Sequence, residues 1–308
     1  MSQSADAHFI EQFNSRAAHK YQSEGFLLRS CVSAAERIEG TKAYFPWFGK
    51  GTASKKIRGQ RATPMNPPRG RTEATLQTWE VFDFLYYQDL NKTNVNEREN
   101  IAMIGAKALG RGTDGEIVDV IHKKVSRTAA TGKGVNPYLD ANGQPGLVGG
   151  AGTKWDLAYA MKMCSALGQA EVPLDGEVYC PLPQLFWDIM MTYKQFNSSE
   201  WVGDENLSFV GKSGKGKKGK YWNGVNWFVA PGEYFRQSLD ENHLELAMWH
   251  KGAAGWANNT TLQSWFDWEN QLGAHSMRIE SEGAAAAILE EGMVLGQFET
   301  SSELIVPQ

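Results

Sequence analysis

The sequence predicts an α+β protein, and three observations carry that expectation. An apolar stripe at helical spacing runs from Asn94 to about Val125, two shorter helical patterns follow Thr153 and Pro183, and strand-like runs dominate from Trp222 onward. With 308 residues and 42% hydrophobic content, the chain can bury a substantial core arranged in about two structural units.

The first element is an arm. Residues 1 to about 45 are mixed and polar, with scattered Phe9, Phe13, Tyr21, Phe26 and Leu27 and no sustained helical face. Such a segment gains order by lying on something else. Next, Lys50 to Arg71 holds seven basic residues, no acidic ones and three prolines. Proline at these positions prevents a helix, so the segment reads as a long excursion or a two-stranded ribbon. Its exit, TLQTWEVFDFLYYQ, alternates Phe82, Phe84 and Tyr86 onto one face and reads as a strand half-buried on that face.

The long helix opens with Asn94 capping toward Glu97, then sets Ile101, Ile104, Ala108 and Leu109 in a stripe. Gly105, Gly110 and Gly112 weaken it, and Thr113-Asp-Gly-Glu116 looks like a second capping box that restarts it. The expectation is a kink or break near Gly110 to Gly112, or two helices nearly in line. Thr153 is the expected cap of a helix carrying Leu157, Met161 and Cys164 and ending at Gly168. A strand at Val178 to Cys180 leads into a helix with Leu185, Phe186, Ile189 and Tyr193, and the strands GVNWFVA, HLELAMWHKGAAGWA, SMRIE, GAAAAIL and GMVLGQF follow.

Charge and chemistry exclude several classes of function. The net charge of −4 excludes a broadly basic protein, so contact with nucleic acid is expected to be local or weak. Cys31, Cys164 and Cys180 are far apart and odd in number, which indicates neither a disulfide framework nor a zinc knuckle and suits a reducing cytoplasm. The N-terminus lacks the pattern of a secretory signal, and no stretch is long and apolar enough for a spanning helix. Neither metal spacing among the six histidines nor a nucleophile elbow is present, so no catalytic residue, cofactor or metal is expected. His250 reads as a strand residue at a packed surface.

One phosphate-site lookalike, Gly211 to Lys218, places Lys218 where a magnesium-binding Ser or Thr is needed, and no apolar helix follows. Five lysines, Lys212, Lys215, Lys217, Lys218 and Lys220, therefore read as a solvated loop, able to neutralise DNA phosphates without reading sequence. Seven of the eleven tryptophans fall between Trp201 and Trp268, a density that suits cores and subunit interfaces better than a ligand platform.

The order of these features resembles the tailed-bacteriophage major capsid proteins of the Hong-Kong-ninety-seven fold. The run from ELAMWHKGAAGWA through GAAAAILEEGMVLGQF is similar to the closing part of that family, and YQSEGFLLRSCV and GRGTDGEIVDVI also look like its segments. The resemblance implies an arm (1–45), an extended β-hairpin loop (46–80), a peripheral domain with a spine helix (81–149), an axial α/β domain (150–260), and return strands with the C-terminus (261–308). Too little chain precedes the basic loop for a fused scaffolding segment, so a separate scaffolding protein, or none, is expected.

The implied function is a shell subunit that assembles with itself as pentamers and hexamers into an icosahedral head and catalyses nothing. Scaffolding, portal and decoration proteins are the implied partners, with non-specific contact to packaged double-stranded DNA and no membrane. Its implied location is the virion capsid, after assembly in the host cytoplasm. Lys55, Lys56, Arg58, Arg61, Arg69 and Arg71 are the expected inter-subunit residues, facing acidic residues of a neighbour's spine, namely Glu97, Glu99, Asp114 and Glu116. Three other readings stay open: a cellular nanocompartment shell of the same fold, a nucleotide-binding protein using the Lys/Gly-rich loop, and a glycan-binding module using the tryptophans.

Overall fold

The computed structural model describes residues 25–35, 37–59, 61, 64–86, 97–197, 219–237 and 243–300. In chain order, β1 (Ser33–Ala34), β2 (Arg37–Glu39), β3 (Lys42–Phe48), β4 (Arg69–Thr75) and β5 (Gln77–Tyr86) precede a long helix, Glu97–Lys124. After it come β6 (Val148–Lys154), a helix at Leu157–Gln169, β7 (Val178–Leu182), and helices at Gln184–Met191 and Lys194–Asn197. The remaining strands are β8 (Gly219–Trp222), β9 (Val225–Val229), β10 (Arg236–Gln237), β11 (His243–His250), β12 (Ala254–Glu269), β13 (Ala274–Ala287) and β14 (Met293–Glu299).

Two compact units result. The first takes Leu76–Asp114 and Asn258–Gly283 together with the described residues up to Leu27. Here β13 lies between β12 and β5, and its antiparallel register with β5 runs from Ala274 opposite Tyr86 to Gly283 opposite Gln77. One face of this sheet packs on the helix, where Leu109, Met277 and Ile279 gather Trp79, Val81 and Ile101. The alternation expected in β5 is therefore present with its faces exchanged: Val81 and Leu85 turn inward, whereas Phe82 and Tyr86 are 48% and 47% exposed. The helix supplies the apolar partner, and it lies on the odd-numbered side.

No break occurs at the helix glycines, contrary to expectation. They are points of close approach. An added Cβ at Gly105 would lie 2.9 Å from Ile279, and one at Gly110 would lie 2.8 Å from the Gly25 backbone. Thr113 does not cap a second helix; its hydroxyl donates back to the Gly110 carbonyl at 2.9 Å within the continuous helix. Asp114, fully buried, accepts the Leu27 backbone N–H at 2.6 Å and so fixes the chain where it leaves the helix surface.

The second unit holds Leu28–Thr75, Gly115–Ala257 and the described residues from Ala284 on. Its principal sheet has the order β6-β14-β11-β7-β9-β8, with β10 also paired to β11. β7 and β9 are parallel, as are β14 and β6, while β11 runs antiparallel to both β14 and β7. Aromatic packing fills one side: Trp155 stacks on Phe186 at 5.4 Å and meets Phe298 edge-on at 4.8 Å, with Trp227 at 6.4 Å.

The helix Leu157–Gln169 is capped by Asp156, whose carboxylate accepts from the Ala158 N–H, whereas Thr153 lies in β6. Leu157, Ala160, Cys164 and Leu167 form its buried face, and Met161 is turned outward. β1 adds beside the start of β12, pairing Ser33 with Gly255. A separate sheet of β2, β3 and β4 carries the basic segment.

Candidate assembly interface

The basic segment is a ribbon with an open tip. β3 and β4 pair from Lys42 opposite Thr75 to Phe48 opposite Arg69, and Gly49 N–H extends the ladder to the Pro68 carbonyl at 2.7 Å. Gly70 has to be glycine at this crossing, because a Cβ there would lie 2.4 Å from the Trp47 ring. Beyond the ladder, the described residues of 50–68 form no strand or helix, and Lys55, Lys56, Arg58 and Arg61 are exposed. Ile57 and Met65, 59% and 58% exposed, give the tip an apolar component as well.

The cations at the root behave differently from those at the tip. Arg71 lies over the Tyr44 ring at 4.6 Å and pairs with Glu73 at 3.0 Å, and Arg69 lies 5.9 Å from the Phe48 ring. Lys50 pairs with Glu171. For Lys55, Lys56, Arg58 and Arg61, no ion pair is formed among the described residues. Four uncompensated cations on an exposed tip call for an external anion or acidic surface.

The acidic set expected to receive them is not available as a set. Asp114 is spent inside the fold on Leu27 N–H, and Glu116 is half-buried. Glu99 is exposed, and the Glu97 side chain lies outside the described residues. Lys212, Lys215, Lys217 and Lys218 also lie outside them. Lys220 departs from the solvated-loop reading: it is buried in β8, its ammonium donates to the Phe196 carbonyl, and it sits 4.4 Å from the Phe196 ring. Burial lowers its pKa.

One buried ionic cluster went unnoticed in the sequence. Glu245 in β11 is 4% exposed and takes hydrogen bonds from His122 at 3.1 Å, Arg127 at 3.0 Å and Gln297 at 3.1 Å. Burial pushes this carboxyl up, but the hydrogen bonds and the Arg127 charge outweigh it and hold the group at about 2. No spacing rule joins positions 122, 127, 245 and 297. The cluster anchors the end of the long helix to the sheet.

Asp175, Glu177 and His250 approach one another, but their chemistry disfavours a metal. His250 Nδ1 accepts the Gly252 N–H at 3.1 Å, so in the neutral ring the proton sits on Nε2, 3.7 Å from Asp175. The lone pair a metal needs is thereby occupied, and Lys251 lies 3.8 Å from Glu177. All three cysteines are buried free thiols. Of the tryptophans, Trp155, Trp227 and Trp249 are core residues, whereas Trp265 and Trp268 are exposed.

A long helix against the sheet of β5, β13 and β12, a mixed sheet with an aromatic core, and a ribbon with an exposed tip define the class of phage shell subunits with the Hong-Kong-ninety-seven fold. Solved capsids share this arrangement. The capsid structure of the cyanophage P-SCSP1u superposes with a TM-score of 0.68 at 13% identity, covering 98% of this chain and 96% of that one. The capsid of Ralstonia phage GP4 gives 0.64 at 9% identity over 94% and 95%, and that of a native GTA particle 0.63 at 12% over 92% and 93%. No curated protein matches the sequence. The chain belongs to the phage capsid protein family, whose model matches residues 5–300. It is a major capsid protein, a structural subunit of the virion shell.

Proposed function

We propose that this chain tiles the phage head as pentameric and hexameric rings, and that the basic ribbon joins each copy to its neighbour. The observation that carries this reading is the ribbon itself: a paired root with internally satisfied charges, followed by an exposed tip whose Lys55, Lys56, Arg58 and Arg61 have no counter-ion among the described residues. Ordering such a tip costs about 1–2 kcal/mol per residue, a cost offset only by contacts outside the subunit. Each copy presents one ribbon and receives another, which is head-to-tail association and closes into rings.

In this reading the protein catalyses nothing. It assembles in the host cytoplasm, engages scaffolding, portal and decoration proteins, and meets packaged double-stranded DNA through charge alone. The division into arm (1–45), extended loop (46–80), peripheral domain (81–149), axial domain (150–260) and return strands (261–308) belongs to the same proposal. Replacing Arg58, Arg61 and Arg69 with glutamate tests it. The subunit should keep its far-ultraviolet circular dichroism yet form no closed shells in negative-stain images. Normal empty shells from the triple variant would reject the joining role and leave DNA contact as the use of these charges.

A further inference from the structure

In the second unit, one braced loop holds an apolar side chain out in water. Thr131 N–H donates to the Leu139 carbonyl and Gly132 N–H to the Pro137 carbonyl, both at 2.9 Å, which closes a tight turn over Lys133, Gly134, Val135 and Asn136. The flank is fixed from outside the loop, where Tyr138 N–H donates to Gln169 Oε1 at 3.0 Å. On this turn Val135 is 94% exposed. Lys133 is exposed too, and it forms no ion pair among the described residues. A lone exposed valine is ordinary. What gives this one direction is a matching cavity on the same unit.

The cavity measures about 330 Å³ and opens between β7, β9 and β8, with Ser30 and Cys31 at its wall. Tyr221, Asn226 and Tyr179 form one row across the three strands, and Gly219, opposite Phe228 in the next row, adds no side chain to fill the space. The rim is acidic. Asn226 donates to the Gly176 carbonyl, and an added Cβ at Gly176 would lie 3.3 Å from the Tyr221 ring, so the turn bearing Asp175 and Glu177 is held against the cavity. Both carboxylates are about half exposed and only loosely matched, Asp175 by His250 at 3.7 Å and Glu177 by Lys251 at 3.8 Å.

Loop and cavity thus carry opposite charge beside apolar surface, a cation two residues from a knob and a carboxylate beside a hole. They also lie at different edges of the principal sheet. The loop springs from Ala129, which bridges to Leu147 at the entry to β6, whereas the cavity lies at β8, the other end of the strand order. Five strand spacings, about 24 Å, separate the two strands. A knob at one edge and a hole at the other is what head-to-tail association uses. We infer that the 131–139 loop of one copy docks in this cavity of a second copy, with Val135 among Tyr179, Tyr221 and Phe228 and Lys133 on Asp175. The inference rests on the proposal that copies meet head to tail in rings, and it needs no part of the ribbon.

Val135 is so exposed that replacing it leaves the core of its own subunit intact, so Val135→Asp reads contacts between copies. Counted as closed particles in negative stain, with circular dichroism as the folding control, its yield should fall about tenfold or more, because the loss recurs at every ring contact. Lys133→Glu and Asp175→Lys should each lower the yield, and their combination should restore most of it. Val135→Cys joined with Tyr221→Cys should, on mild oxidation, give disulfide-linked pentamers and hexamers on a non-reducing gel, since the native thiols are buried. If the unaltered protein forms no rings, the ring proposal fails and this inference with it. If it forms rings and Val135→Asp assembles as well, the rings stand and the docking is wrong. Failure of the charge exchange to restore assembly also overturns the pairing, and should Asp175→Lys misfold, Asp175→Asn replaces it, an undiminished yield counting against the contact. Linked dimers alone, or disulfides within one chain, exclude a ring contact at this site.

Discussion

Gly25 crosses the long helix at Gly110 so closely that a Cβ on Gly25 would lie 2.6 Å from the Gly110 Cα. Gly25 also has φ +73°, which an L side chain rarely adopts. Both glycines are required by this one crossing. Gly110→Ala should therefore destabilise the protein by about 1–3 kcal/mol and speed proteolysis near residue 25, despite the better helix propensity of alanine. Gly115, with nothing within 4 Å of an added Cβ, is the control. Gly115→Ala should raise stability by about 0.5–1 kcal/mol in denaturant titration.

The Glu245 cluster makes stability depend on acid. Its folded pKa of about 2 lies below the ordinary 4.5, so the folded state holds the deprotonated form more strongly than the unfolded chain does. That stabilisation, about 3 kcal/mol, is complete above pH 4.5 and lost as pH falls toward 2. Glu245→Gln should cost about 1–3 kcal/mol at neutral pH by weakening the charge-assisted hydrogen bonds from Arg127, which water replaces in part because Arg127 is half exposed, and should flatten the acid limb of a stability-against-pH curve. An unchanged acid limb in the variant would place the titration elsewhere.

Lys220 should behave as a packing residue. Lys220→Ala removes the buried stem and the ammonium that serves the Phe196 carbonyl, and is expected to destabilise the fold by about 1–3 kcal/mol. A substitution at a solvated lysine would change stability by about 0.5 kcal/mol or less. Thermal unfolding of the single variant distinguishes the two.

The thiols should be inert in the folded subunit. Burial pushes Cys164 up to about 12 and raises Cys180 well above its ordinary value, and Cys31 is also buried. A thiol reagent at neutral pH should label none of the three until denaturant is added, whereupon all three should react.

By itself the sequence determined the α+β class, the long helix, the strand-rich final third and the basic ribbon, because these follow from the spacing of apolar residues and from proline within a charged run. It also carried the resemblance to phage capsid proteins. What it left open were relations between distant positions. Glycine in a helix reads as a weak point until the crossing chain at Gly25 is seen, and Thr113-Asp-Gly reads as a cap until Asp114 is found holding Leu27. Alternation in β5 marked a strand but not its buried side, since a period of two is symmetric and the helix alone chooses the face. The Glu245 cluster and the cavity beside Tyr221 depend on pairings of residues far apart in the chain, and tertiary structure decided both because burial and register are properties of the assembled sheet.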